Sequence, residues 1–235
     1  PYIYGTVGGP ENNVIPDGLL ENNGIELIKG EAVDVNRESK VVTMRDGETI
    51  EYEKLVFATG SVPLIPPIPG IEKENVYPVK KEFDYLSQVY RHMEEVKDLV
   101  IIGGGFIGME FADECRKGRD VNVTIVEALP HCLQMALDNE FCEEAQKKLE
   151  EAGVNILVNE KVQAILGDGK VTGVKLASGQ ELKADMVILG IGAVPNTELA
   201  KKTGLELGFR DTLIVSLKPS SRPVFFASSV LGTAP

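Results

Sequence analysis

What this 235-residue chain has little of already excludes several kinds of chemistry. Cysteine is scarce. Cys115, Cys132 and Cys142 form no C-x-x-C pair, and with only two histidines beside them no zinc site assembles at the usual ligand spacing. Cys115 and Cys142 fall in helix-like patterns, as packing residues do. Cys132 follows His131 in a loop-like stretch, where a thiol–imidazole pair would have no activating partner. With no disulfide framework in view, a reducing, cytoplasmic setting is expected. Long apolar runs are missing. None approaches the roughly 18 residues of a membrane helix, and no basic, apolar-cored signal segment opens the chain, so no membrane partner is expected. Basic residues are outnumbered, 24 Lys and Arg against 36 Asp and Glu, for a net charge of −12. No basic stripe is visible, and no nucleic-acid partner is expected. An initiator Met is also lacking, so the opening at Pro1 reads as a processed, truncated or incomplete chain.

What is present is an ordinary globular composition, 43% hydrophobic and 26% charged, long enough for one large domain or two small ones. An internal repeat organises it. Gly24 to Pro63, "GIELIKGEAVDVNRESKVVTMRDGETIEYEKLVFATGSVP", parallels Gly153 to Pro195, "GVNILVNEKVQAILGDGKVTGVKLASGQELKADMVILGIGAVP". Each copy opens on Gly and an alternating strand, then passes through two more short strands. Asp46-Gly47 and Asp168-Gly169 supply tight turns that accept positive φ. Each copy ends in a nearly continuous apolar strand, "KLVFATG" or "DMVILGIG", as expected of a strand buried in a parallel sheet. The expectation is therefore two small antiparallel meanders, each followed by a central parallel strand.

A complete βαβ unit precedes the second copy. Lys97 to Ile102 reads as a strand, Phe106 to Lys117 as a helix and Val121 to Val126 as the next strand. A further helix runs near Asn139 to Glu151, with Phe141, Ala145 and Leu149 on one face and Gly153 placed to cap it. Lys80 to Val96 has helical periodicity. Pro63, Pro66, Pro67 and Pro69 in "PLIPPIPGI" exclude a helix or central strand, so this stretch is a linker. The unit that would precede the first copy falls before Pro1. The chain thus reads as one full dinucleotide-binding unit and the back half of another. The expected division is 80–196 for the full unit, with 1–79 and 197–235 forming part of the other.

Gly103, Gly105 and Gly108 fit G-x-G-x-x-G between a strand and a helix. The first glycine permits the tight turn, the second lets a diphosphate approach the backbone, and the third lets helix and strand pack closely. Phe106 and Ile107 begin the helix, whose N-terminal N–H groups and partial positive charge suit phosphates. A glycine-rich turn without a ligand is the plainer alternative. Glu127 ends the second strand roughly 20 residues further on, where a carboxylate accepts from ribose hydroxyls and repels a 2′-phosphate. This selects NAD(H) over NADP(H), against the alternative of a solvated Glu at a strand end. Gly190 and Gly192 lie at the carboxyl end of a central strand, where open α/β sheets bind ligands. Ala58, Thr59 and Gly60 take the equivalent place in the first repeat.

"GGGFIGME", "VTIVE", "ADMVILGIGAVPNTELAKKTGLEL" and "KLVFATGSVPLIPPIPG" together resemble the pyridine nucleotide-disulfide oxidoreductases, in the flavour of NADH oxidases, coenzyme A disulfide reductases and persulfide reductases. The resemblance implies an α/β, Rossmann-like flavoprotein fold with two dinucleotide-binding domains, each carrying an inserted three-stranded antiparallel meander and the first incomplete: an NAD(H)-binding domain at 80–196 and a partial FAD-type domain at 1–79 and 197–235. It also implies hydride transfer from NADH to FAD and on to a disulfide, persulfide, oxygen or protein acceptor. By this resemblance Gly103, Gly105 and Gly108 hold the NADH diphosphate, Glu127 the adenosine ribose, and Gly192 lies near the nicotinamide. Glu110 matches a family Glu at the flavin–nicotinamide junction, or else is a helix-surface salt-bridge residue. A homodimer is a further expected partner state.

Three departures bear on the flavin. The FAD domain's own glycine fingerprint is absent. "PYIYG" resembles the segment just after the family's redox cysteine, so no catalytic nucleophile is assigned. Ser229 and Val230 stand where the family carries Gly-Asp, and Val cannot accept the flavin's hydrogen bonds. The expectation is the NADH-binding portion of an FAD-dependent oxidoreductase, inactive by itself, with FAD or a flavin-bearing remainder as its partner. The alternative is a non-enzymatic dinucleotide-binding module or an electron-transfer subunit without its own flavin.

Overall fold

The computed structural model describes residues 17–208. These divide into two units, one of 17–62 with 194–208 and the other of Pro63–Ala193.

In the smaller unit a short helix α1 (Asp17–Glu21) precedes the first meander, β1 (Ala32–Asn36), β2 (Val41–Met44) and β3 (Thr49–Glu51). The three strands pair antiparallel in that order. The turn at Asp46-Gly47 forms as read, with Gly47 at φ +92 and the Asp46 carboxylate accepting from Glu48 N–H. Val35, Val42, Met44 and Phe57 make the buried centre. Two expected strands do not form. The stretch 25–29 has no strand, and Ile25, Leu27 and Ile28 are exposed. Lys54–Gly60 is likewise not a strand. Phe57 is buried there, but Val56 is 53% exposed. A central parallel strand needs hydrogen-bonded neighbours on both edges. Among the described residues this unit contains no parallel strand to flank 54–60.

The chain leaves this unit through β4 (Ser61–Pro63). In the larger unit β5 (Val76–Pro78), α2 (Phe83–Met93), β6 (Asp98–Ile102), α3 (Phe106–Arg116), β7 (Asn122–Val126), α4 (Asn139–Glu151) and β8 (Asn155–Leu157) follow. Next come the second meander, β9 (Val162–Leu166), β10 (Gly173–Leu176) and β11 (Glu181–Lys183), and then β12 (Met186–Leu189). β13 (Ala193–Pro195), which pairs with β4, leads back, and α5 (Glu198–Lys202) closes the described chain.

The larger unit's main sheet runs β5-β12-β6-β7-β8, parallel throughout. Its central strands bury side chains on both faces, and alternation sorts them into two cores. Leu99, Ile101, Val123, Ile125, Met186 and Ile188 meet Met109, Phe111, Ala112 and Cys115 of α3, Met93 of α2 and Leu149 of α4. On the other face Val100, Ile102, Val126, Val187 and Leu189 meet Ile165, Val174 and Leu176 of the meander. The result is helices, parallel sheet and meander in three layers. Each fully buried Ile or Leu in such a core contributes about 1.5–3 kcal/mol.

The βαβ unit and α4 match the sequence reading to within a residue or so, and Gly153 follows α4 at φ +89 as expected of a helix cap. The helix expected over Lys80 to Val96 is shorter, Phe83–Met93. The proline-rich linker forms no helix, turns at Pro69-Gly70, and packs its Ile68 and Ile71 on the meander-side core. β5 has no clear counterpart in the sequence pattern. It is a short edge strand, and its last residue is Pro78, which an edge accommodates.

Candidate functional site

β6, α3, β7 and β12 meet at the carboxyl end of the parallel sheet, and their junction is built from glycine backbone. Gly103 continues the sheet, its N–H donating to the Val126 carbonyl at 2.9 Å, and Gly190 N–H donates to the Ile102 carbonyl at 2.8 Å. Gly103 has φ +102, and a Cβ there would lie 2.8 Å from the Gly190 carbonyl oxygen. A Cβ on Gly108 would overlap the Gly103 carbonyl oxygen, and one on Gly190 would lie 3.0 Å from the Gly108 Cα. Gly103, Gly108 and Gly190 therefore touch backbone to backbone. The helix and both strands reach this point only because none of the three carries a side chain.

Gly105 differs. Its φ of −73 suits any residue, and the nearest protein atom to a Cβ there, the Gly190 carbonyl oxygen, is 3.9 Å away. Nothing among the described residues requires glycine at this position. What it leaves is an unobstructed approach to the first turn of α3, whose N-terminus carries no side-chain cap. Phe106 is exposed and Ile107 partly buried at that end, with Glu110 exposed one turn along. Unfilled N–H groups and the positive end of a helix attract anions.

Glu127, just past β7, is fixed rather than loose. Its carboxylate accepts from Gly104 N–H at 2.5 Å and from Leu129 N–H at 2.8 Å, one bond on each oxygen. A carboxylate has about four acceptor positions, so each oxygen keeps capacity for a hydroxyl donor. Gly104, an unremarked x of the motif, is the residue that sequence reasoning missed. A Cβ on it would meet the Cys132 Cβ at 3.0 Å and the Glu127 Cβ at 3.2 Å. Its carbonyl accepts from Leu133 N–H at 2.8 Å. Burial pushes the Cys132 thiol up to about 12, with Glu127 adding to the rise. No thiol–imidazole pair forms. The Cys132 sulfur packs against Gly104, and His131 Nδ1 has no hydrogen-bond partner among the described residues.

Gly192 follows β12 at φ +107, exposed, its carbonyl accepting from Leu64 N–H at 3.0 Å. The larger unit thus carries Gly103, Gly105, Phe106, Ile107, Gly108, Glu110, Glu127, Gly190 and Gly192. In the smaller unit, Ala58 and Thr59 are exposed and Gly60 has φ +68. Thr59 Oγ1 donates to the Asn196 carbonyl at 2.5 Å, and Asn196 N–H donates to the Gly60 carbonyl at 2.9 Å. Pro1–Gly5 and Ser220–Val230 lie outside the described residues.

The family model for pyridine nucleotide-disulphide oxidoreductases matches residues 8–221. The chain belongs to this family. Its members are FAD- and NAD(P)H-dependent oxidoreductases. The chain is 39% identical over 194 residues to an NADH oxidase of Enterococcus faecalis, a match that covers 79% of this chain and 43% of that protein. It is 33% identical over 215 residues to the CoA-dependent NAD(P)H sulfur oxidoreductase of Pyrococcus furiosus, covering 88% of this chain and 48% of the relative. Its fold is similar to the ferredoxin reductase for the CYP199A2 system of Rhodopseudomonas palustris. The TM-score is 0.82 at 29% identity, over 88% of this chain and 51% of that one. The chain therefore spans about half the length of these relatives or less. No helix among the described residues is long and apolar enough to cross a membrane, and no group of three or more potential metal ligands occurs among them.

The open side of Gly105, the uncapped α3 and the oriented Glu127 fit an NAD(H) molecule. Among the described residues of the smaller unit, no second strand–glycine–helix cradle offers FAD a comparable site.

Proposed function

We propose that the chain is the NADH-binding portion of an FAD-dependent oxidoreductase. The carrying observation is Gly105, the motif glycine that the protein's own packing leaves unexplained and that close approach of a diphosphate would explain. In this reading the backbone of Gly105–Gly108 and the N-terminus of α3 hold the diphosphate. Glu127 accepts from the adenosine ribose hydroxyls while Gly104 and Leu129 keep its carboxylate oriented. Gly192 borders the nicotinamide, where a side chain would crowd the ring, and Glu110 lies toward the flavin. Bound NADH supplies a hydride, and the role of this chain is to hold and orient it. Residues 80–196 form the NAD(H)-binding domain, and the flanking segments belong to the FAD-type part. A disulfide, persulfide, oxygen or a protein is the onward acceptor in the whole protein.

The test is a titration of the purified chain with NADH and with NADPH, followed by nicotinamide fluorescence. NADH is expected to bind saturably and more tightly than NADPH. Failure to bind NADH, or tighter binding of NADPH, would overturn the assignment.

A further inference from the structure

The loop that follows Glu127 carries backbone strain. Leu133 has φ +60, a left-handed conformation that bulky residues rarely adopt and that persists only where surrounding contacts enforce it. The enforcing contacts run in two directions. Toward the cradle, Leu133 N–H donates to the Gly104 carbonyl at 2.8 Å, and the Cys132 sulfur packs on Gly104. Away from it, Cys132 N–H donates to Oε1 of Gln146 at 2.8 Å. Gln146 is a half-buried residue of α4, whose neighbours Ala145 and Leu149 pack on the helix-side core. Gly104 in turn donates its N–H to Glu127. A continuous path therefore runs from Gln146 through the backbone of 132–133 to Gly104 and the carboxylate of Glu127.

We propose that Gln146 is a positioning residue for nucleotide binding, holding the strained 132–133 backbone that keeps Gly104 and Glu127 in place. This rests on the reading of Glu127 as the ribose acceptor. Without the Gln146 oxygen, Cys132 N–H has no acceptor in its half of the clasp, and Leu133 relaxes toward negative φ. The Leu133 bond to Gly104 goes with it, and the Glu127 carboxylate loses its fixed orientation. Gln146 acts at one remove, so its loss weakens ribose recognition while the diphosphate cradle stays intact.

The experiment compares Gln146→Leu, Gln146→Glu and Lys147→Gly in the full chain, measuring the NADH Kd by fluorescence and the Tm by circular dichroism. Lys147 is exposed on the same helix and touches none of these contacts, so its glycine variant lowers stability alone. Gln146→Leu is expected to raise the NADH Kd about tenfold, the scale of one well-placed polar interaction. Gln146→Glu, which keeps an accepting oxygen, is expected to stay within about twofold of wild type. Lys147→Gly is expected to lower Tm without changing Kd. The inference falls if Gln146→Leu binds NADH as wild type does, or if Lys147→Gly weakens binding as much at an equal loss of Tm. A wild-type chain that binds no NADH defeats the site reading itself, and the inference with it.

Discussion

Alanine at two glycines of the same motif should have opposite consequences. At Gly108 the new methyl would overlap the carbonyl oxygen of Gly103 and lie 3.1 Å from its carbon, with both partners backbone and neither able to rotate away. Overpacking of this kind costs about 1–3 kcal/mol, and each kcal/mol moves Tm by about 2–4 °C in a domain of this size. At Gly105 the methyl would meet nothing closer than 3.9 Å, and φ of −73 is already comfortable for alanine. Alanine is the poorer helix cap by several tenths of a kcal/mol. It also removes freedom from the unfolded chain, worth about 0.4–1 kcal/mol in the other direction. The two effects offset, and Tm should stay within about 2 °C of wild type. Binding should reverse the order of interest: Gly105→Ala obstructs the diphosphate and should weaken NADH at least about tenfold, equivalent to about 1.4 kcal/mol. Thermal denaturation and an NADH titration on the same preparations decide the matter. If Gly105→Ala melts and binds NADH like wild type, the cradle does not hold a diphosphate at Gly105. If Gly108→Ala melts like wild type, the close helix–strand contact is not as described.

Glu127→Ala should weaken NADH about tenfold and NADPH much less, because the lost interaction is with the ribose and the lost repulsion was toward a 2′-phosphate; an unchanged ratio of the two Kd values would refute the role. Cys115 and Cys132, buried and pushed up to about 12, should carry on the order of a thousandfold less thiolate at pH 8 than a free cysteine. A thiol reagent such as Ellman's should therefore leave them unmodified until denaturant is added, and rapid reaction in the native chain would contradict their packing. Burial, with Lys170 adding, holds the His92 imidazole below its ordinary value, and Tyr77 hydroxyl bonds its Nδ1 at 2.9 Å. The folded chain then binds fewer protons than the unfolded one just below about pH 6.5, so this contribution is present above that pH and is lost as pH falls. His92→Gln should flatten the fall in Tm between pH 7 and pH 5, and parallel Tm curves for variant and wild type would exclude the effect.

The βαβ unit was readable because its signals are local and agree with one another. A continuous apolar run, Leu99 to Ile102, turns into a 3.6-residue period at a glycine cluster, and "MVIL" is apolar at every position because β12 is covered on both sides. The same reasoning misplaced Lys54–Gly60 as a strand. Its composition is that of a buried strand, but a strand exists only by pairing, and composition carries no information about which neighbours are within reach. Phe57 finds a place beneath the meander while Val56 does not. β5 failed to show for the converse reason. An edge strand of three residues ending in proline has too little pattern to register, and it is defined by β12 beside it.

At the site, the motif was legible glycine by glycine: the turn falls at Gly103, the open backbone at Gly105 and the close helix–strand contact at Gly108. Gly103 and Gly108 answer to packing, and so does Gly190, whose place at the carboxyl end of a central strand pointed to a ligand. Gly190 is fully accounted for by the backbone of Gly103 and Gly108. Gly104, a position the motif leaves free, is constrained most heavily, by Cys132 on one side and by bonds to Glu127 and Leu133 through its own backbone. Only an additional glycine at a free position hinted at this, since the contacts come from residues more than 20 positions away. Of the three motif glycines, Gly105 alone has no reason among the described residues. The strongest pointer to a ligand at this site is therefore the motif glycine that neither its φ nor its neighbours explain, because the turn has claimed Gly103 and packing Gly108.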